Sequence, residues 1–260
     1  MTYLSTVLAD TPLHYWRLAD PPGNIANDIG SGGPLPLFSI FSGGFGCLGY
    51  SGPNSDGGSA IYNNSNELKA VVGVPYATPA SYEWILWTMG PRADAHQSFP
   101  WGHGDAAGGP FHNELGTGIY AFNLKTGASV PAAAPTAQRW HHFAITIPAA
   151  GTSFVYYIDG VAQPAPAAFA AFAAGSYDFS LGNANSGSST WVGAMSEFAI
   201  YNTQLSAARV AAHSAAVENP TSPPVAEGAS SSAAGVSSSV FSGISQDILS
   251  DLLNHYKNSP

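Results

Sequence analysis

A single cysteine, Cys47, stands in a chain of 260 residues, so an internal disulfide is ruled out and folding in a reducing compartment is the simpler history. Charge is also scarce. Only 9% of residues are Asp, Glu, Lys or Arg, against about a quarter in ordinary domains. Basic residues are the rarest, with seven Lys and Arg against sixteen Asp and Glu and a net charge of −9. No basic cluster exists, which excludes the electrostatic footprint of a nucleic-acid binder. No apolar run approaches the ~20 residues of a membrane span. The opening MTYLSTVLADTPLHYW has no charged segment followed by an apolar one, so no signal peptide is expected.

Turn formers and aromatics are plentiful: 29 Gly, 20 Pro and 12% Phe, Trp and Tyr. That mixture suits an all-β domain better than a helical one. Short β-type runs occur at 14–18, 60–64, 81–89, 118–124, 141–147, 153–160, 177–183 and 192–202. Asp159-Gly160 is a strong tight-turn signal. Residues 203–216 then read as a short helix capped by Thr203 or Ser206. Strands at this spacing followed by one helix predict an antiparallel β-sandwich over 1–217.

Composition changes near residue 217. Residues 218–240 are Ser-, Ala- and Pro-rich and predict a flexible or extended linker. Residues 241–260 carry the apolar stripe Ile244, Ile248, Leu249, Leu252, Leu253 and Tyr256 at helical spacing. So short a helix is marginal alone in water, so it predicts a partner-binding anchor. Docking into another protein or packing with its own copies as a homo-oligomer both satisfy the pattern.

His141 and His142 raise the question of a metal site. Neighbouring side chains on a strand point to opposite faces, so His141 belongs with Phe143, Ile145 and Ile147, and His142 with Trp140, Ala144 and Thr146. The two rings cannot converge on one ion.

Catalytic signatures are thin. Glycanases on β-sandwiches place paired carboxylates on one face, yet Glu83 and Glu197 each stand without an acidic partner two residues away. No Gly-x-Ser-x-Gly elbow appears, and Cys47 has no neighbouring base. No enzyme is expected. The segment 92–116 is the most distinctive, holding His96, Trp101, His103, Asp105, His112, Asn113 and Glu114 in a Gly-rich setting. Trp and His offer stacking faces, and the acids and amides accept from hydroxyls. Three readings stay open here: an ordinary structured loop, a glycan-contacting loop built on Trp101, His103, Asp105, His112 and Asn113, or a metal site of non-standard spacing.

The ordered series VLADTPLHYWRLAD, YEWILWTM, RWHHFAITI, FVYYIDG, DFSLGN and GAMSEFAIYNTQLSAARVAAH resembles the laminin G-like, concanavalin A-like jelly-roll family, in the form common among bacteriophage virion proteins. The resemblance spans about residues 3 to 216. It implies two antiparallel sheets face to face with the first and last strands adjacent, and a role in binding glycans or proteins, sometimes with calcium and often without catalysis. The family's acidic loop is reduced here to Asn27 and Asp28, so no cofactor is expected and calcium has no clear motif. By this resemblance the chain is a virion structural protein made in the host cytoplasm, binding a host-surface glycan and held to other virion proteins through 241–260. A purely cementing role and a polysaccharide-degrading enzyme are the alternatives.

Overall fold

The computed structural model describes residues 1–21, 25–41, 48, 50–55, 57–63, 66–88, 97–104, 110–115, 119–124, 129–133, 135–164, 173–182 and 192–224. Cys47 and the whole stripe Ile244–Tyr256 lie outside the described residues.

A short helix, α1 (Tyr3–Leu8), opens the chain. The strands follow as β1 (His14–Trp16), β2 (Ile25–Ala26), β3 (Leu37–Phe41), β4 (Tyr50–Ser51), β5 (Gly58–Asn63), β6 (Asn66–Ala70), β7 (Val74–Tyr76), β8 (Ala80–Thr88) and β9 (Gln97–His103). Then come β10 (Pro110–Leu115), β11 (Ile119–Leu124), β12 (Ser129–Ala133), β13 (Arg139–Ile147), β14 (Val155–Ile158), β15 (Val161–Ala162), β16 (Gly175–Tyr177), β17 (Phe179–Leu181) and β18 (Val192–Tyr201). Helix α2 (Ala207–Ala215) closes the body.

Two antiparallel sheets form a sandwich. The first runs β15-β14-β13-β8-β18-β5-β4, with β1 also on β18, and the second runs β12-β11-β10-β9-β17-β6-β3-β2. His14 stands opposite Ile200, so the first strand does lie beside the last. Between the sheets sits an aromatic core: Trp84 stacks on Phe143 at 5.8 Å, and Trp16 on Phe179 at 5.1 Å. Alternation along β13 sends Phe143, Ile145 and Ile147 into this core. Trp140 and Ala144 go to the outer face, where Ile85 and Trp87 of β8 pack with Tyr3 and Val7 of α1 and Val210 of α2. The sandwich therefore has a third layer, two helices over the outer face of the first sheet.

The Asp-Gly signal is met by a two-residue turn between β14 and β15, where Asp159 and Gly160 have φ of 49° and 76°. A side chain at 160 would strike Ala211 Cα at 3.1 Å, so glycine here also lets the turn press against α2. Ser206, not Thr203, caps α2 by accepting from Arg209 N–H.

The 92–116 loop is corrected by the structure. Most of its described part is strand, β9 and β10, paired with each other. Pro100 and Gly102 interrupt the residue pattern that marks a strand, yet the Pro100 carbonyl accepts from Gly182 N–H at 2.6 Å. The start of the 218–240 linker also differs. Pro220 and Ser222 carbonyls accept from the Trp140 backbone and indole N–H at 2.7 and 2.6 Å, and Asn219 N–H donates to the Pro53 carbonyl. Residues 218–222 are thus a strap fastened across the sandwich.

Candidate functional site

The residues expected to meet a sugar divide three ways. Trp101 is 0% exposed, stacked on Tyr82 at 5.2 Å and edge-on to Trp84 at 5.0 Å. It is a core residue with no face for a ligand. His103 is buried too, its Nε2 hydrogen donating to the Val74 carbonyl and its Nδ1 accepting from the Tyr82 hydroxyl. Burial first, outweighing the Val74 bond, lowers its pKa from 6.5 to about 4. His112 and Asn113 lie on β10, with His112 opposite Trp101 in register. Their side chains, like Asp105 altogether, lie outside the described residues. The stacking platform expected at Trp101 does not exist.

The polar groups that sequence reasoning undervalued are on the outer face, under the helices. Glu83 of β8 is 0% exposed. Its Oε2 accepts from His213 Nδ1 at 2.7 Å and from His142 Nε2 at 3.3 Å, and its Oε1 from the Tyr201 hydroxyl. His213 Nε2 meets Asp10 Oδ2 at 2.8 Å, and Arg209 Nε meets the same oxygen at 2.7 Å. Both His213 nitrogens face oxygens that only accept, so the ring carries both protons. Burial alone would raise the Glu83 pKa, but His213 and His142 outweigh it and hold the carboxyl at about 2. For His213, burial lowers the pKa, and Glu83 and Asp10 more than reverse that, raising it.

Glu197 is the second buried carboxylate. Ser196 pairs with Ile85 and Ala199 with Glu83, so β18 has one extra residue at this point. That bulge, with Glu197 at φ 54°, keeps Met195 and Phe198 both in the inner core and turns the carboxylate outward. Tyr15 Oη donates to it at 2.6 Å, and Arg17 and Asn54 each reach Oε1 at 3.1 Å. Burial outweighs these partners and raises its pKa.

The His141–His142 pair is wall, as alternation requires. His141 Nδ1 bonds Asp159 at 2.6 Å and its Nε2 meets the Thr136 carbonyl, away from His142 and Glu83. Asp28 is likewise structural, accepting from His14 and from the N–H groups of Tyr15, Gly30 and Leu35. Among the described residues no three His, Cys, Asp or Glu side chains are placed to hold a metal ion.

These groups set a pH profile. His103, with its pKa lowered from 6.5 to about 4, costs stability as pH falls through that interval, because the unfolded chain takes up the proton first. Glu83, lowered from 4.5 to about 2, adds a further loss below the ordinary carboxylate range. His213 works oppositely: its raised pKa contributes fully below the ordinary imidazole value and is lost as pH rises through the folded one. Thermal melts from acid to alkaline pH should peak near the ordinary imidazole value. His103→Gln should flatten the acid limb between 6.5 and 4, and an unaltered limb would remove His103 from the account.

Two concavities open on either side of the strap. One, of about 220 Å³, lies between β13, the β14–β15 turn and the end of α2. The other, of about 460 Å³, has Ser51, Asn54, Ser55, Asn219 and Ser222 in its walls beside Gly52, Gly57 and Pro223.

Comparison with known proteins agrees with this architecture. Residues 84–211 match the family model described as the concanavalin A-like lectin/glucanases superfamily. No curated protein matches the chain. Among solved structures, the receptor-binding domain of botulinum neurotoxin mosaic serotype C/D superposes with a TM-score of 0.61 at 11% identity, covering 79% of this chain and 51% of that one. The chain thus spans about half of that neurotoxin structure. Domain 4 of AbnA, a GH43 extracellular arabinanase from Geobacillus stearothermophilus bound to arabinotriose, gives 0.55 at 18% identity over 78% of this chain and 97% of that one. The serotype D neurotoxin ligand-binding domain in complex with N-acetylneuraminic acid gives 0.57 at 9% identity over 83% and 56%. By its topology and by the match over 84–211, the sandwich is of the concanavalin A-like type.

Proposed function

We propose that this chain is a non-enzymatic glycan-recognition module of a bacteriophage virion, attached to its particle through residues 241–260. The observation that carries the non-enzymatic part is the state of the two strand carboxylates. Glu83 and Glu197 are both 0% exposed and fully bonded to protein partners, so neither can approach a glycosidic bond as acid or nucleophile. Recognition is supported by the sandwich type and by the open concavities beside the strap. The virion setting is supported by the ordered motif series, and the anchor by the apolar stripe from Ile244 to Tyr256.

Binding of the full chain on a glycan array, without turnover of laminarin, alginate or capsular polysaccharide, is the expected result. Turnover would establish the enzyme instead, and an empty array would leave a cementing role. Truncation after residue 240 should give a folded, monomeric sandwich that no longer assembles onto particles. Normal copy number of the truncated protein on purified virions would refute the anchor.

A further inference from the structure

The larger concavity is built from two chain segments far apart in sequence. One wall is the β4–β5 connection, with Asn54 and Ser55, and the other is the strap, with Asn219 and Ser222. Three hydrogen bonds hold the walls together. Asn219 N–H donates to the Pro53 carbonyl at 2.8 Å, Ser55 N–H to Glu218 Oε2 at 2.9 Å, and Glu218 N–H to Asn54 Oδ1 at 3.3 Å. Behind the first wall, Asn54 Nδ2 donates to the buried Glu197. A side chain at Gly57 would meet the same carboxylate at 2.5 Å, so this wall is pressed onto the core. The space keeps its shape only while the strap is fastened.

The lining sets the chemistry of an occupant. The bonds between the walls use only the backbones of Ser55 and Asn219, and Ser222 gives its carbonyl to Trp140. All three are exposed residues. Their hydroxyls and carboxamide make no hydrogen bond among the described residues, and each can both donate and accept. Gly52, Gly57 and Pro223 supply backbone and C–H surface between them. No lining residue is charged, and Glu218 stands just outside. An anion would therefore enter without a counter-charge and close to a like one, while a cation would find no carboxylate in the lining. A sugar offers the matching mixture, hydroxyls that donate and accept beside C–H faces, without charge. The volume of about 460 Å³ lies within the range of about 300–1,000 Å³ that small-molecule clefts occupy.

We propose that this concavity binds a neutral sugar, and that ligand and strap hold each other in place. The assignment rests on the glycan-recognition reading and gives it an address. Contacts to Ser55 come from one wall and contacts to Asn219 and Ser222 from the other. An occupant that bridges them favours the fastened strap, and by reciprocity the fastened strap favours binding.

Trp140 reports on the strap, because its indole N–H donates to the Ser222 carbonyl at 2.6 Å. The test is a titration of the full chain, labelled with ¹⁵N-tryptophan, with neutral methyl glycosides of hexoses and pentoses, their disaccharides and the matching uronates. Neutral glycosides should bind saturably and uronates more weakly. With ligand at about ten times Kd, the Trp140 indole hydrogen should exchange with solvent about tenfold more slowly. Ser55→Ala combined with Asn219→Ala removes two side chains that hold nothing in the free protein. Its melting temperature should be unchanged and its affinity about tenfold or more weaker. Tighter uronates would overturn the assignment by reversing the chemistry. Unaltered Trp140 exchange at saturation would separate ligand from strap and refute their coupling. Unchanged affinity in the double variant, with glycans still captured on an array, would move the site and leave recognition standing. An empty array with the full chain would remove the recognition reading itself, and this site with it.

Discussion

Glu83→Gln is expected to lower the unfolding free energy by about 3–5 kcal/mol, the usual cost of stripping one member from a buried charge pair. All three partners of the carboxylate donate: Tyr201, His142 and His213. An amide supplies one acceptor oxygen for them and aims an NH₂ at a donor. The His213 cation would then face only Asp10 on one side. Domains of this kind are stable by about 5–15 kcal/mol, so the variant should be close to unfolding at moderate temperature. Urea denaturation is the measurement. A loss below about 1 kcal/mol would show that the network is solvated in solution and the helices are not clamped by it. Replacing His213 in the Glu83→Gln background should recover part of the loss, since the two sites are directly coupled.

Trp101→Ala should be comparably damaging, by about 3–5 kcal/mol, for a different reason. Its ring fills the space between Tyr82, Trp84 and Phe198, and truncation leaves a cavity that a stiff sandwich cannot close. Glycan affinity per folded molecule should not change. A variant of normal stability that had lost its glycan would return Trp101 to the surface and reverse this assignment.

The Trp101 result also shows where sequence is informative. Long strands such as β8 and β13 were legible because burial on both faces leaves an extended run rich in aromatic and β-branched residues. The Asp159-Gly160 turn was legible because its backbone conformation admits few residues. β9 was not, because Pro100 and Gly102 carry the marks of a loop while the strand is held by neighbours distant in sequence. A tryptophan among Gly, His and Asp looks like a sugar platform until the opposite sheet is present. Helix α1 was missed because six residues under a Thr2 cap are too short to display a period. The Glu83 cluster was missed for the same kind of reason: Asp10, Glu83, His142 and His213 come from four separate elements, and only the Glu197 bulge, a break in alternation within AMSEFAIY, left a local trace. The stripe Ile244–Tyr256 lies outside the described residues, so its anchoring role stays a proposal.

The pairing of the sandwich's first and last strands has a consequence for how the protein is made. β1 pairs with β18, and Arg209 of α2 ties Asp10 and the Thr6 carbonyl at the end of α1. During synthesis the first strand meets the nearby Asp28–Leu35 segment early, but its ladder partner β18 and the helix that ties α1 come only with residues 192–215. β8, central in the finished sheet, meanwhile lacks β18 and presents an open edge. Non-local pairings of this sort close late, because ordering the intervening chain must come first. The outer face with Trp87 and Trp140 is bare until both helices arrive. Nascent chains are therefore exposed to one another through most of translation, and the docking of α2 is the event that ends that exposure.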